Sequence, residues 1–78
     1  MKNNNFTIKK YEIYNKEENL AICFAFNSKS RYTRFATWEV RGIKTDNPDF
    51  FWGHYYTDEM DALKDYHERL AYNYTKPF

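Results

Sequence analysis

The sequence predicts one small α+β domain: an antiparallel four-stranded meander with a single C-terminal helix packed across one face, in the order ββββα. Three observations predict it. Four short segments of alternating apolar residues are separated by polar breaks of hairpin length. A final segment repeats apolar residues at helical spacing behind an acidic first turn. The chain of 78 residues has room for one core, so residues 1–78 form a single domain. Residues 1–5 and 75–78 read as tails.

The first strand runs from Phe6 to Tyr14. Phe6 and Ile8 alternate, then Tyr11 and Ile13 alternate on the opposite phase, and the switch at Lys9-Lys10 suggests a bulge. Asn15 to Asn19 is the polar break. In the second strand, Leu20 to Phe26, the set Leu20, Ile22, Phe24 and Phe26 takes one face and Ala21, Cys23 and Ala25 the other. A strand apolar on both sides is central in its sheet. After the turn Asn27-Ser28-Lys29-Ser30, the third strand, Arg31 to Ile43, sets Tyr32, Ala36, Trp38 and Val40 against Arg31, Thr33, Phe35, Thr37, Glu39 and Arg41. Asn47-Pro48 marks a loop. The fourth strand, Phe50 to Tyr56, places Phe50, Trp52, His54 and Tyr56 on one face and Phe51, Gly53 and Tyr55 on the other.

The helix spans about residues 57–73. Thr57 or Asp58 caps it, and Asp58, Glu59 and Asp61 sit where the helix dipole favours acids. Met60, Leu63, His67, Leu70, Ala71 and Tyr74 form its apolar stripe, with Asp58, Asp61, Asp65 and Glu68 opposite. The stripe is expected to bury Met60, Leu63, Leu70 and Tyr74 against Leu20, Ile22, Phe24 and Phe26, the most apolar face of the sheet. The uncovered face should then carry the small residues of the second strand with Arg, Thr and aromatic residues of the third.

Composition bears on function. Eight Tyr, seven Phe and two Trp are more rings than one core of this size can hide. Some rings must stand half exposed, either as tyrosines with the ring inward and the hydroxyl outward or as a contact patch. The lone Cys23, between Ile22 and Phe24, leaves no internal disulfide and fits a small buried hydrophobe in a reducing compartment. No apolar run approaches the length of a membrane span, and the polar start Met1-Lys2-Asn3-Asn4-Asn5 lacks the apolar core of a signal peptide. A cytoplasmic protein is expected. Abundant Lys, Asn, Tyr, Phe and Ile, whose codons are AT-rich, point to a low-GC genome.

The net charge of +1 hides a division. Residues 28–45 carry Lys29, Arg31, Arg34, Arg41 and Lys44 against Glu39 alone. Residues 46–68 carry Asp46, Asp49, Asp58, Glu59, Asp61, Asp65 and Glu68 against Lys64 alone. A polarised surface steers or orients a partner, unless the two halves neutralise one another in the fold.

Catalytic and metal signals are thin. His67 falls in the helix stripe. His54 lies among rings, and no carboxylate or nucleophile stands at a recognised spacing from it. No Cys-x-x-Cys, His-x-x-x-His, calcium-loop or glycine-rich phosphate pattern occurs. No catalytic residue, metal or cofactor is assigned, and the protein is expected not to be an enzyme.

Two binding readings remain. In the first, the chain is a protein-binding module. Trp52, Tyr55 and Phe51 are its anchors, and Asp58, Asp61 and Asp65 steer a partner with a basic surface. In the second, the Arg and aromatic residues of strand 31–41 (Arg31, Arg34, Phe35 and Arg41) bind single-stranded nucleic acid by phosphate pairing and base stacking. The near-neutral charge weighs against the second. The sheet face left uncovered could equally close a homodimer. No motif identifies a family. The build resembles that of small motif-poor inhibitors of host defence carried by phages and mobile elements, without a residue-level match.

Overall fold

The structure is a computed structural model describing residues 1–76. It contains β1 (Lys2–Asn3), β2 (Phe6–Asn15), β3 (Leu20–Phe26), β4 (Phe35–Arg41), β5 (Asp49–Tyr56) and α1 (Glu59–Thr75). The strands form one antiparallel sheet in the order β1-β2-β3-β4-β5. The fold is thus an α+β meander with a C-terminal helix, with one strand more than expected. The extra strand comes from the first tail: Asn4, at φ 56°, turns the chain so that Lys2 and Asn3 pair with Thr7 and Phe6. The expected tail at 75–78 begins inside α1, and residues 77–78 lie outside the described residues. No helix among the described residues is long and apolar enough to cross a membrane.

The bulge expected at Lys9-Lys10 is present as a register shift between Ile8 and Lys10. It brings Ile8, Tyr11 and Ile13 to one side, opposite Ala25, Cys23 and Ala21. The strand expected from Arg31 is shorter. β3 ends at Phe26, opposite Phe35, so residues 31–34 have no strand to pair with. Instead the Asn27 amide donates to the Arg34 carbonyl at 2.7 Å, and Arg34 Nε donates to the Ser30 carbonyl at 3.0 Å.

Two clusters sandwich the sheet. On the helix side, Ile22 and Phe24 pack with Ala62, Tyr66 and Leu70, flanked by Tyr14, Phe35, Tyr56 and Leu63. On the far side, Ala21, Cys23, Ala25 and Ala36 make a floor of small residues. Phe6, Trp38, Val40 and Ile43 lie on that floor with Ile8, Ile13 and Phe50. The face that the helix leaves bare is therefore also a core, because the sheet curls over it. Trp38 is its hub, edge-on to Phe6 at 5.2 Å, Phe50 at 5.8 Å and Tyr55 at 5.8 Å between centroids.

The register corrects the expected distribution of polar residues. Ile22 pairs with Glu39 and Phe24 with Thr37, so Thr37, Glu39 and Arg41 share the helix side. The apolar set Ala36, Trp38 and Val40 takes the far side. Helix phase is corrected with it. Ala62, Tyr66 and Leu70 are buried and Leu63 is partly buried, whereas Met60, His67, Ala71 and Tyr74 are exposed. Two polar attachments account for this rotation. Asp65 reaches Thr37, and Arg69 reaches the same threonine, so this face must turn towards β4.

Candidate functional site

A second bulge shapes the candidate site. Thr37 pairs with His54 and Glu39 with Phe51, which leaves Trp52 and Gly53 together opposite Trp38. Trp52 takes φ 54°, a region that bulky residues rarely enter. Gly53 is required by close approach: a Cβ there would stand 2.5 Å from Trp38 Nε1 and 2.9 Å from the Tyr55 hydroxyl. The bulge also breaks the alternation expected for this strand. Phe51, His54 and Tyr56 share the helix side, while Phe50 and Tyr55 face the far core.

Trp52, 70 % exposed, stands on the wall of a groove between the sheet and the C-terminal half of α1. The groove has a volume of about 550 Å³ and is lined also by Glu39, His54, Asp65, Glu68, Arg69, Tyr72, Asn73 and Lys76. A hydrogen-bonded chain runs along its floor. The Thr37 hydroxyl donates to Asp65 Oδ2 at 2.6 Å, and His54 Nδ1 lies 2.9 Å from the same oxygen. Arg69 donates to the Thr37 hydroxyl at 2.9 Å and to its carbonyl at 3.3 Å. This chain ties α1 to both β4 and β5.

Burial raises the Asp65 pKa, but the hydrogen bonds with Thr37 and His54 and the His54 charge outweigh it. The carboxyl is left below its ordinary 3.8. On the β2 side the Tyr14 hydroxyl donates to Glu39 Oε1. Burial first, then that hydrogen bond and the Glu39 charge, push the Tyr14 hydroxyl far above its ordinary 10.0. In the far core, burial pushes the Cys23 thiol up to about 12. Among the described residues no group of three or more His, Cys, Asp or Glu is placed to hold a metal ion.

The expected anchors separate. Phe51 is half-buried and edge-on to Trp52 at 5.1 Å, on the groove side. Tyr55, 52 % exposed, lies on the opposite side of the strand against Trp38 and Phe6. The expected acidic row is also broken. Asp58 is the N-cap, accepting from the Met60 amide at 3.0 Å, and Asp61 is exposed. Asp65, whose side chain is 16 % exposed, turns inward to Thr37 and His54. Of the proposed nucleic-acid set, Arg31 and Arg34 are on the loop before β4. Phe35 stacks on Phe24 at 6.0 Å, and Arg41 pairs with Glu18 at 3.3 Å at the other end of the strand.

Thr37, Glu39, Tyr14, Arg69 and Tyr72 were not legible as site residues in sequence. The available signal was Glu39, the lone acid of a basic stretch, but only the register places it opposite buried Ile22. No family model, curated protein or solved structure matches the chain.

Proposed function

We propose that this protein is a non-catalytic protein-binding module whose principal anchor is Trp52. One observation carries the reading: a tryptophan is held at positive φ in a strand bulge, yet its ring is left in solvent at the mouth of a groove. Such a backbone costs about 1–3 kcal/mol, which a fold retains where the displayed group has a use. Tryptophan is also among the residues that dominate interface energetics. Phe51 buttresses the ring, and exposed Asp58 and Asp61 supply long-range attraction for a basic partner. Tyr55 belongs to a separate surface on the far side.

On build alone, the reading extends to an inhibitor of a host defence protein, carried by a phage or mobile element and acting in the cytoplasm. The test begins with recovery of the partner on the immobilised chain, followed by kinetics of the purified complex. Trp52→Ala should raise k_off by about tenfold or more. Asp58→Asn with Asp61→Asn should lower k_on at low salt while leaving k_off near its original value. An unchanged k_off for folded Trp52→Ala would remove Trp52 as the anchor. Tight binding of random oligonucleotides with a steep salt dependence, lost on substitution of Arg31 and Arg34, would favour the nucleic-acid alternative. A self-association constant that depends on Tyr55 would favour a homodimer.

A further inference from the structure

Glu39 lies at the centre of β4, opposite Ile22, and is only 6 % exposed. Carboxylates at such positions are paired with a cation or are costly. Tyr14 donates to Oε1, but among the described residues no nitrogen of Lys, Arg or His lies within 4.0 Å of this carboxylate. Arg69 and Lys76 line the same groove, but neither comes within 4.0 Å of the Glu39 carboxylate. Arg41 pairs with Glu18, Arg69 bonds to Thr37, and the Lys76 ammonium stands 5.9 Å over the Tyr14 ring. Glu39 instead lines the groove whose wall carries Trp52 and Tyr72 and whose rim carries Glu68. The lining sets Glu39, Asp65 and Glu68 beside Arg69, Lys76 and His54, and Asp65 already has its partners in Thr37 and His54.

We infer that the groove receives an arginine side chain from the protein partner, its guanidinium pairing with Glu39 and stacking on Trp52. The inference rests on the binding-module reading and names the chemistry that the anchor recognises. A guanidinium suits the place better than an ammonium. It is planar, is weakly hydrated and offers a fork of donors to a carboxylate. Its face stacks on an indole, the best ring for a cation. Glu68 at the rim, 65 % exposed and 4.0 Å from the Lys64 ammonium, remains in solvent and is not the buried partner.

The test uses the full chain and N-acetyl-arginine amide as probe, followed by ¹H–¹⁵N spectra at the Trp52 indole and the Asn73 side-chain amide. A saturable shift of both signals is expected, with the uncharged citrulline analogue inactive and the lysine analogue weaker. Glu39→Gln should weaken binding about tenfold and Trp52→Ala at least about threefold. Trp52 is exposed, so its replacement decides the matter if Glu39→Gln fails to fold. Equal response to citrulline, equal affinity for the lysine analogue, or absence of saturation would overturn the inference. The two readings fail separately. A partner that needs Trp52, with no arginine response, leaves the module and removes the groove assignment. An arginine response that needs Glu39, with a partner indifferent to Trp52, does the reverse.

Discussion

The rings of Phe6 on β2 and Tyr55 on β5 approach to 6.0 Å between centroids, although β3 and β4 lie between their strands. In a flat sheet those strands would stand about 14 Å apart, at about 4.8 Å per step. Their contact therefore measures the curl. Rings on the two flanks close over Ala21, Cys23, Ala25 and Ala36, whose small side chains leave room for Trp38. A double-mutant cycle with Phe6→Ala and Tyr55→Ala should show a coupling of about 0.5–1.5 kcal/mol. Urea midpoints measure it, and strict additivity would show that the rings do not meet.

Gly53→Ala should destabilise by about 2–3 kcal/mol or more. The added methyl meets Trp38 at Nε1 and Cδ1, and Trp38 is only 4 % exposed, pinned by three rings. The near-ultraviolet circular dichroism of Trp38 should change with the urea midpoint. A neutral substitution would mean that the bulge can open.

At Trp52 the usual ranking of alanine over glycine should invert. An L side chain at φ 54° brings its Cβ against the following carbonyl, whereas glycine does not. Trp52→Gly should therefore be more stable than Trp52→Ala by about 1 kcal/mol. Both should lose the partner. Thermal melts of the two variants decide the first point and complex kinetics the second.

Leu70→Ala should cost about 2–5 kcal/mol, since Leu70 is 7 % exposed between the helix and Ile22 and Phe24. Met60→Ala should stay within about 0.5 kcal/mol, since Met60 is 68 % exposed. Chemical melts of the pair test the helix phase directly, and equal losses would contradict it.

Acid should loosen the helix through Asp65. Its folded carboxyl titrates below 3.8, so its contribution is complete above that ordinary value. It is lost as pH falls through the lowered one. Stability measured from about pH 5 down to pH 2 should fall, and Asp65→Asn should flatten part of that slope. An identical slope in the variant would show that other carboxylates govern acid unfolding.

The local rules of strands and caps made most of the fold legible. The phase switch at Lys9-Lys10 marked a real bulge, and of the two caps expected, Thr57 or Asp58, it is Asp58 that caps the helix. Helix phase was not legible, because hydropathy alone favoured Met60 and Tyr74 over Ala62 and Tyr66. A carboxylate and a guanidinium that bond across to Thr37 carry no weight in such a pattern. The bulge at Trp52-Gly53 was hidden for a related reason. Almost every residue of Phe50–Tyr56 is aromatic, so shifting the alternation by one leaves the pattern looking the same. Only pairing against Trp38 distinguishes the two. The groove inherits both problems, since it exists only after strand register and helix phase are set.

The bulges also bear on how this chain behaves when crowded with copies of itself. A sequence this rich in rings, with few prolines, is the kind that stacks into cross-β fibres when a straight strand edge is left open. Beyond the two residues that pair with β1, β2 carries exposed Lys9 and Lys10, and its pairing with β3 shifts register twice. The outer side of β5 is bent at Trp52. Neither margin offers an incoming strand a regular ladder, and the lysines repel a like-charged copy. The irregularities that lend the sheet its curl thus also bend both outer strands, and a copy meeting either margin finds no long straight ladder to extend.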